Sequence, residues 1–225
     1  MNHELIAILP QFVWYIIIGI AVLSVLAYFL QERFIFKPEK LKQDFEFKYD
    51  APFKEYFFDI EPGVRINGLH FHRENPKGLI LYFHGNTRSI KGWARYAKDF
   101  YRYKYDVVLV DYRLAPEHTY PAAVDDAVSA YRWLLAQGVP PARITIAGNS
   151  AGGGLALATL VALRDLGVAL PCAGIGLSPW TDLTGSGASV MACATTDALL
   201  DADGLRGSAA LYADRSQHEH PYASP

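Results

Sequence analysis

Apolar and polar positions change rhythm several times along this chain, and each rhythm predicts a different element. Phe12 to Leu30 holds nineteen residues without a charge. As a helix that run extends roughly 28 Å, close to the hydrocarbon thickness of a bilayer, and it reads as a transmembrane helix. Trp14, Tyr15 and Tyr28 lie near its ends, where aromatic side chains favour the interface. From Glu39 to Phe53 the pattern turns charged and aromatic, as in a linker. Tyr56–Ile60 and Arg65–His72 then alternate like two strands around the turn signal Pro62-Gly63. Gly78–Phe83 reads as a buried strand, Ile90–Tyr101 has helical spacing, and Val107–Tyr112 is again a strand. Asp125–Gln137 is an amphipathic helix, Ile144 begins a β-branched strand, Leu155–Leu166 is Ala and Leu rich, and Ala173–Ser178 is a sixth strand. Strands alternating with helices imply an α/β fold, here about six strands in a mainly parallel sheet with helices on both faces.

Composition narrows the class. At 225 residues and 51% apolar content the chain is long enough for a membrane segment and one domain with a core, and too apolar for disorder. A net charge of −2 gives no reason to expect nucleic acid. Cys172 and Cys193 form neither a disulfide framework nor a metal spacing, and read as buried thiols, with a disulfide as the alternative. Two alternatives to the span are a signal peptide and a buried core helix. The first is disfavoured because Met1 to Glu4 carries no Lys or Arg and no Ala-x-Ala site follows. Arg33, Lys37, Lys40 and Lys42 follow the run closely, so the positive-inside rule turns the domain toward the cytoplasm. The expected organisation is a short segment 1–11, a span 12–30, a linker 31–53 and a domain 54–225.

The candidate chemistry sits where the strand Ile144–Ala147 breaks into Gly148-Asn149-Ser150-Ala151-Gly152 and then Gly153-Gly154. A serine hydroxyl is a poor nucleophile unless held clear of the sheet near a base, and a strand-to-helix turn holds it so. Gly148 and Gly152 remove the Cβ atoms that would collide in such a turn. The same turn aims the Ala151 N–H and the positive end of a helix dipole at an oxyanion. A phosphate cradle is the competing reading, but neither Gly-x-x-x-x-Gly-Lys-Ser/Thr nor Gly-x-Gly-x-x-Gly spacing occurs at this turn. Ser150 is therefore the candidate nucleophile. The strand Gly78–Phe83 delivers His84-Gly85-Asn86 to the same side, so the Gly85 and Asn86 N–H groups can complete an oxyanion hole with Ala151. His84 suits a hydrogen-bonding support better than a base, or is an ordinary strand-end histidine. The charges of Asp111-Tyr112-Arg113-Leu114-Ala115-Pro116-Glu117-His118 suit loop-bracing ion pairs.

These residues carry a resemblance. Tyr112-Arg113-Leu114-Ala115-Pro116-Glu117-His118, Tyr120-Pro121-Ala122-Ala123-Val124-Asp125-Asp126, Gly148 to Gly154 and Leu177-Ser178-Pro179-Trp180-Thr181-Asp182-Leu183 are similar to the hormone-sensitive-lipase family of serine esterases, over 111–225. The resemblance implies an α/β-hydrolase fold and hydrolysis of small carboxylic esters by a Ser, His and Asp triad. Carried over, it makes Ser150 the nucleophile and Ala151 an oxyanion donor, with no cofactor and no metal.

Two departures qualify what it implies. The family's oxyanion loop is His-Gly-Gly-Gly, whereas this chain has His84-Gly85-Asn86-Thr87, which behind an amino-terminal anchor resembles a different, His-Gly-Asn branch of α/β-hydrolases. Composition shifts at the same place: all twelve Phe and all nine Lys precede Asp106, while 23 of the 29 Ala follow it. The chain thus reads as a hybrid joined near the fourth strand. The family's acid and base also lie beyond a segment resembling His220-Pro221-Tyr222-Ala223-Ser224-Pro225, so the chain reads as an α/β-hydrolase without its last strands. Asp182 is a stand-in for the acid. His218 and His220 read as solvated residues of a polar tail, and their spacing is weak evidence for metal. The expected function is a membrane-anchored serine esterase or lipase acting through an acyl-enzyme. The alternatives are a catalytically silent hydrolase-like domain, or a membrane-tethered interaction module using the sheet edge.

Overall fold

The hairpin expected around Pro62-Gly63 forms as β1 (Phe53–Glu61) and β2 (Val64–Phe71), with Gly63 taking φ of 84° at the turn. This computed structural model describes residues 11–36, 39, 41–42, 45–86 and 89–225, with side chains described outside 27–36. Four further strands follow: β3 (Leu79–Phe83), β4 (Asp106–Asp111), β5 (Ile144–Asn149) and β6 (Ala173–Leu177). They lie in one sheet in the order β1-β2-β4-β3-β5-β6. β2 pairs antiparallel with β4, whereas β4, β3, β5 and β6 run parallel. The carboxyl ends of β3 and β5, followed directly by His84 and Ser150, therefore share one edge of the sheet.

The residues divide into two compact units, Met1–Glu39 and Lys40–Pro225. In the first, helix α1 (Gln11–Phe36) contains the expected membrane span 12–30. Among the described residues, however, no helix is long and apolar enough to cross a membrane. The described side chains of α1 stop at Leu26, short of the roughly 20 apolar residues a bilayer requires, and residues 27–30 of the expected span lie outside them.

In the second unit helices cover both faces of the sheet. α4 (Ala122–Ala136) and α5 (Ala151–Asp165) bury Leu81, Phe83, Val108, Val110, Ile144 and Ile146 against Ala127, Tyr131, Ala156 and Leu163. On the other face Leu69, Phe71, Ile80, Tyr82 and Leu109 lie under Ile90, Ala94 and Ala97. The single helix expected over Ile90–Tyr101 is broken into α2 (Ile90–Trp93), a 3₁₀ turn (Ala94–Tyr96) and α3 (Ala97–Tyr101). Gly92 weakens the first turn, and the Ser89 side chain does not cap it. Phe58 and Ile66, from before the shift in composition at Asp106, share one buried cluster with Ala156 and Leu163 from after it. One core therefore spans both parts.

Residues 45–53, expected in a linker, supply core side chains. Phe45, Phe47, Tyr49 and Phe53 stack in succession, and Tyr49 and Phe53 both reach Phe71 of β2 at 5.4 and 5.6 Å between ring centroids. Arg113 braces the loop after β4 as the sequence suggests. Its guanidinium holds the fully buried Asp126 carboxylate of α4 with bonds of 2.8 to 3.1 Å and reaches Glu61 of β1 at 3.0 Å. Such a planar fork holds a carboxylate in fixed geometry.

Beyond β6 the chain forms α6 (Ala188–Ala192) and α7 (Ala202–Tyr212). β6 is an edge strand, and all five of its residues are exposed. Cys172 and Cys193, expected as buried thiols, are free and exposed. Cys172 immediately precedes this edge strand, its Sγ donating to the Ile144 carbonyl at 3.1 Å, and Cys193 caps the exposed helix α6.

Candidate active site

β5 ends at Asn149 and α5 begins at Ala151, so the whole reversal falls on Ser150, at φ 55° and ψ −121°. That region is disfavoured for any residue with a Cβ, by about 1–3 kcal/mol, and persists only where the surroundings impose it. Here three backbone bonds impose it. The Ser150 N–H donates to the Leu177 carbonyl at 2.9 Å, and the Ser150 carbonyl accepts from Gly154 N–H at 3.0 Å and Trp180 N–H at 3.1 Å. The side chain is left exposed at the amino terminus of a fifteen-residue helix.

Two glycines make the turn possible. A Cβ at Gly148 would collide with the Gly152 carbonyl, and one at Gly152 would collide with the carbonyls of Phe83 and His84. The second collision shows what the close approach achieves: the first turn of α5 rests on the carboxyl end of β3, which sets the His84-Gly85-Asn86 loop beside the serine. Gly85 is buried against Asn149, and Asn86 is exposed. Among the described residues no hydrogen bond takes the backbone N–H of Gly85, Asn86 or Ala151. Three N–H donors that no described residue bonds, one at a helix N-terminus and two in the loop packed against the elbow, suit a developing oxyanion.

His84 is 1% exposed. Its Nδ1 lies 2.8 Å from the Gly85 carbonyl, and its Nε2 lies 3.6 Å from Asp111 Oδ1, beyond hydrogen-bond range. The ring stacks on Tyr112 at 4.7 Å, and the Tyr112 hydroxyl donates to the His84 carbonyl at 2.6 Å. Burial pushes the Tyr112 hydroxyl far above the usual tyrosine range, so it remains a donor at neutral pH. This geometry fixes the loop and keeps the imidazole buried.

Among the described residues neither an acid nor a base is bonded to the Ser150 side chain. Asp182, on the loop after β6, spends its carboxylate on Thr184 and Ser186, accepting the Thr184 N–H, the Ser186 N–H and the Ser186 hydroxyl at 2.8, 2.8 and 2.9 Å. His218 and His220, expected in a solvated tail, have protein partners. His218 Nε2 lies 3.0 Å from the Ala213 carbonyl and His220 Nδ1 lies 2.9 Å from the Tyr120 hydroxyl. The tail folds down because Leu183, Ala209, Ala213 and Ala223 form a small apolar cluster beneath it. Among the described residues no hydrogen bond or ion pair joins Ser150 or Asp182 to a histidine. Leu177 and Trp180, which pin the elbow, were not legible as site residues, because backbone bonds leave no side-chain signal.

Asp182 carries a pH prediction. Burial pushes its carboxyl up, but the hydroxyl and backbone donors of Thr184 and Ser186 outweigh it and hold the group at about 2. A carboxyl depressed in the folded state contributes stability above its unfolded value near 3.8 and loses it as pH falls through about 2. Hydrogen exchange should show the Thr184 and Ser186 amides protected at pH 5 and progressively released between pH 4 and 2. Protection that Asp182→Asn retained in full at pH 5 would contradict this account.

Residues 80–225, well over half of the chain, match the model of a family described as having the alpha/beta hydrolase fold. An acetyl-hydrolase of Streptomyces hygroscopicus is 51% identical over 119 residues, 53% of this chain and 40% of that protein. An esterase of Acinetobacter venetianus is 39% identical over 125 residues, 55% of this chain and 41% of that protein. The crystal structure of an esterase/lipase from an uncultured bacterium superposes with a TM-score of 0.70 at 37% identity, covering 80% of this chain and 61% of that one. An esterase from the bacterial hormone-sensitive lipase family gives 0.66 at 37% identity, with the same coverage. This chain thus spans about two fifths of these curated relatives and about three fifths of these solved structures. With its sheet order, its elbow at Ser150 and this match, the chain belongs to the α/β-hydrolase fold family.

Proposed function

We propose that the protein is a carboxylic ester hydrolase in which Ser150 attacks the ester carbonyl and carries the acyl group. The observation that carries this reading is the exposed Ser150 held at φ 55° beside three N–H groups that no described residue bonds. In this reading the N–H groups of Gly85, Asn86 and Ala151 stabilise the oxyanion, and His84 positions their loop. The names of the relatives, an acetyl-hydrolase and esterases, support small ester substrates. A fluorophosphonate probe followed by peptide mass spectrometry tests the assignment, which requires the label on Ser150. One observation favours a second reading, a catalytically silent hydrolase-like domain: no described histidine is bonded to the serine.

A membrane anchor is part of the same proposal. From Phe12 to Leu26 every side chain but that of Val13 is exposed, among them Phe12 at 62%, Ile18 at 56% and Leu23 at 65%, as in a helix solvated by lipid. We propose that residues 12–30 span the bilayer once and that the positive residues after them hold the hydrolase domain in the cytoplasm. Carbonate at high pH should leave the protein in the membrane fraction and detergent should release it. In sealed inverted vesicles, protease should digest the domain, and protection there would overturn the orientation.

A further inference from the structure

We propose that His70, His72 and Asp106 form a binding site for a borderline divalent transition metal, with zinc the best fit, at the end of the sheet away from Ser150. The backbone brings these residues together. Side chains along a strand alternate, so His70 near the end of β2 and His72 just past it point to one face. The antiparallel register pairs His70 with Val108 and Phe71 with Val107, and its next step sets His72 opposite Asp106. His70 Nε2 lies 3.1 Å from Asp106 Oδ2, and the two imidazole rings are 3.7 Å apart. One ligand atom from each residue falls within 4.8 Å of the others.

A polar atom here lacks a partner. His72 Nε2 is buried and makes no hydrogen bond, a cost that a ligand would remove. The second oxygen of Asp106 accepts the Arg73 N–H at 2.8 Å, the kind of outer contact that aims a ligating carboxylate. Burial, and then the neighbouring His72, lower the His70 imidazole to about 4, and burial lowers His72 as well, so both offer lone pairs at neutral pH. Two nitrogens and one carboxylate suit zinc, copper or nickel, whereas calcium and magnesium take sets of oxygens. Closing the trio to tetrahedral spacing, about 3.3 Å between ligand atoms, requires a small movement of side chains at the strand end. Asp106 begins β4 and lies a strand length, roughly 20 Å, from the edge that carries Ser150. The ion would therefore clamp the β1–β2 hairpin to the parallel strands and take no part in ester chemistry. Lys54, exposed on β1 and paired with His70 in register, is the opposing charge.

The test uses the full chain in detergent, stripped with a chelator and titrated with zinc chloride. At zinc a hundredfold above the dissociation constant, the melting temperature should rise by about 5–10 °C. Copper(II) should give an electron paramagnetic resonance spectrum with coupling to two nitrogens. His72→Gln, at a half-buried position, should keep the fold and lose both signals, as should His70→Ala where it folds. Lys54→Gln should tighten binding, and His218→Ala with His220→Ala should change nothing. No zinc-dependent shift in the wild type, or a full shift retained by His72→Gln, would overturn the proposal.

Discussion

Ser150→Ala should remove the fluorophosphonate labelling of this chain, slow as that labelling is without a bonded imidazole, while Ser178→Ala should leave it intact. Both serines are exposed and both take positive φ, 55° and 46°, so backbone strain alone does not separate them. Their surroundings do. Ser150 stands at the amino terminus of α5 with the Gly85-Asn86 loop packed against its turn, whereas no helix begins at Ser178 and Pro179 follows it. Phosphonylation forms an Oγ–P bond and expels fluoride, leaving a polarised P=O oxygen on the adduct, and the helix N-terminus and loop N–H groups beside Ser150 suit that oxygen. A stability measurement separates chemistry from strain. Alanine keeps the Cβ that makes this backbone costly, and glycine does not, so Ser150→Gly should be more stable to urea than Ser150→Ala by about 1 kcal/mol. Undiminished labelling in Ser150→Ala would show that another serine is the reactive one. Equal stability of the two variants would show that the elbow stores no strain.

The elbow was legible because its chemistry is local. A β-branched strand, two glycines that a Cβ would exclude and an alanine-rich helix follow one another without interruption from Ile144 to Asp165. The sheet was legible for a similar reason, since strands buried on both faces leave nearly continuous apolar runs such as Leu79–Phe83. What depends on long-range packing was less legible. Residues 45–53 read as a linker because their aromatic side chains alternate with charged ones, and only the presence of Phe71 beneath them makes them core. The tail at His218–Pro225 is polar in composition, and only the cluster around Leu183 and Ala209 reveals why it folds down. His70 and His72 passed as ordinary strand residues, because nothing local in sequence announces that Asp106, thirty-four residues on, lies opposite them.

Turnover of p-nitrophenyl esters by the 225-residue chain should be low, about 10³ to 10⁴ over water, the level that oxyanion stabilisation and binding supply without a complete triad. The described histidines account for this expectation one by one. His70 and His72 lie at the opposite end of the sheet, and His84 is buried with Nδ1 on the Gly85 carbonyl. His118 is exposed on the loop after β4, while His218 and His220 are engaged with Ala213 and Tyr120. A serine hydroxyl without an imidazole keeps its proton near neutral pH and attacks slowly. Asp182 supplies no remedy, since Thr184 and Ser186 hold its carboxylate. Among the described residues no strand pairs with the outer edge of β6, so added strands would find backbone groups with which to pair there. Extending the chain with the C-terminal third of a related esterase should therefore add a base at the sheet's carboxyl edge and raise kcat/KM at least a hundredfold. Ser150→Ala within the extended chain should remove that gain. Robust turnover by the unextended chain, equal to that of the extended one, would mean that a base is already present. His118 and His220, the two described histidines that are solvent-exposed, would then be the first to replace.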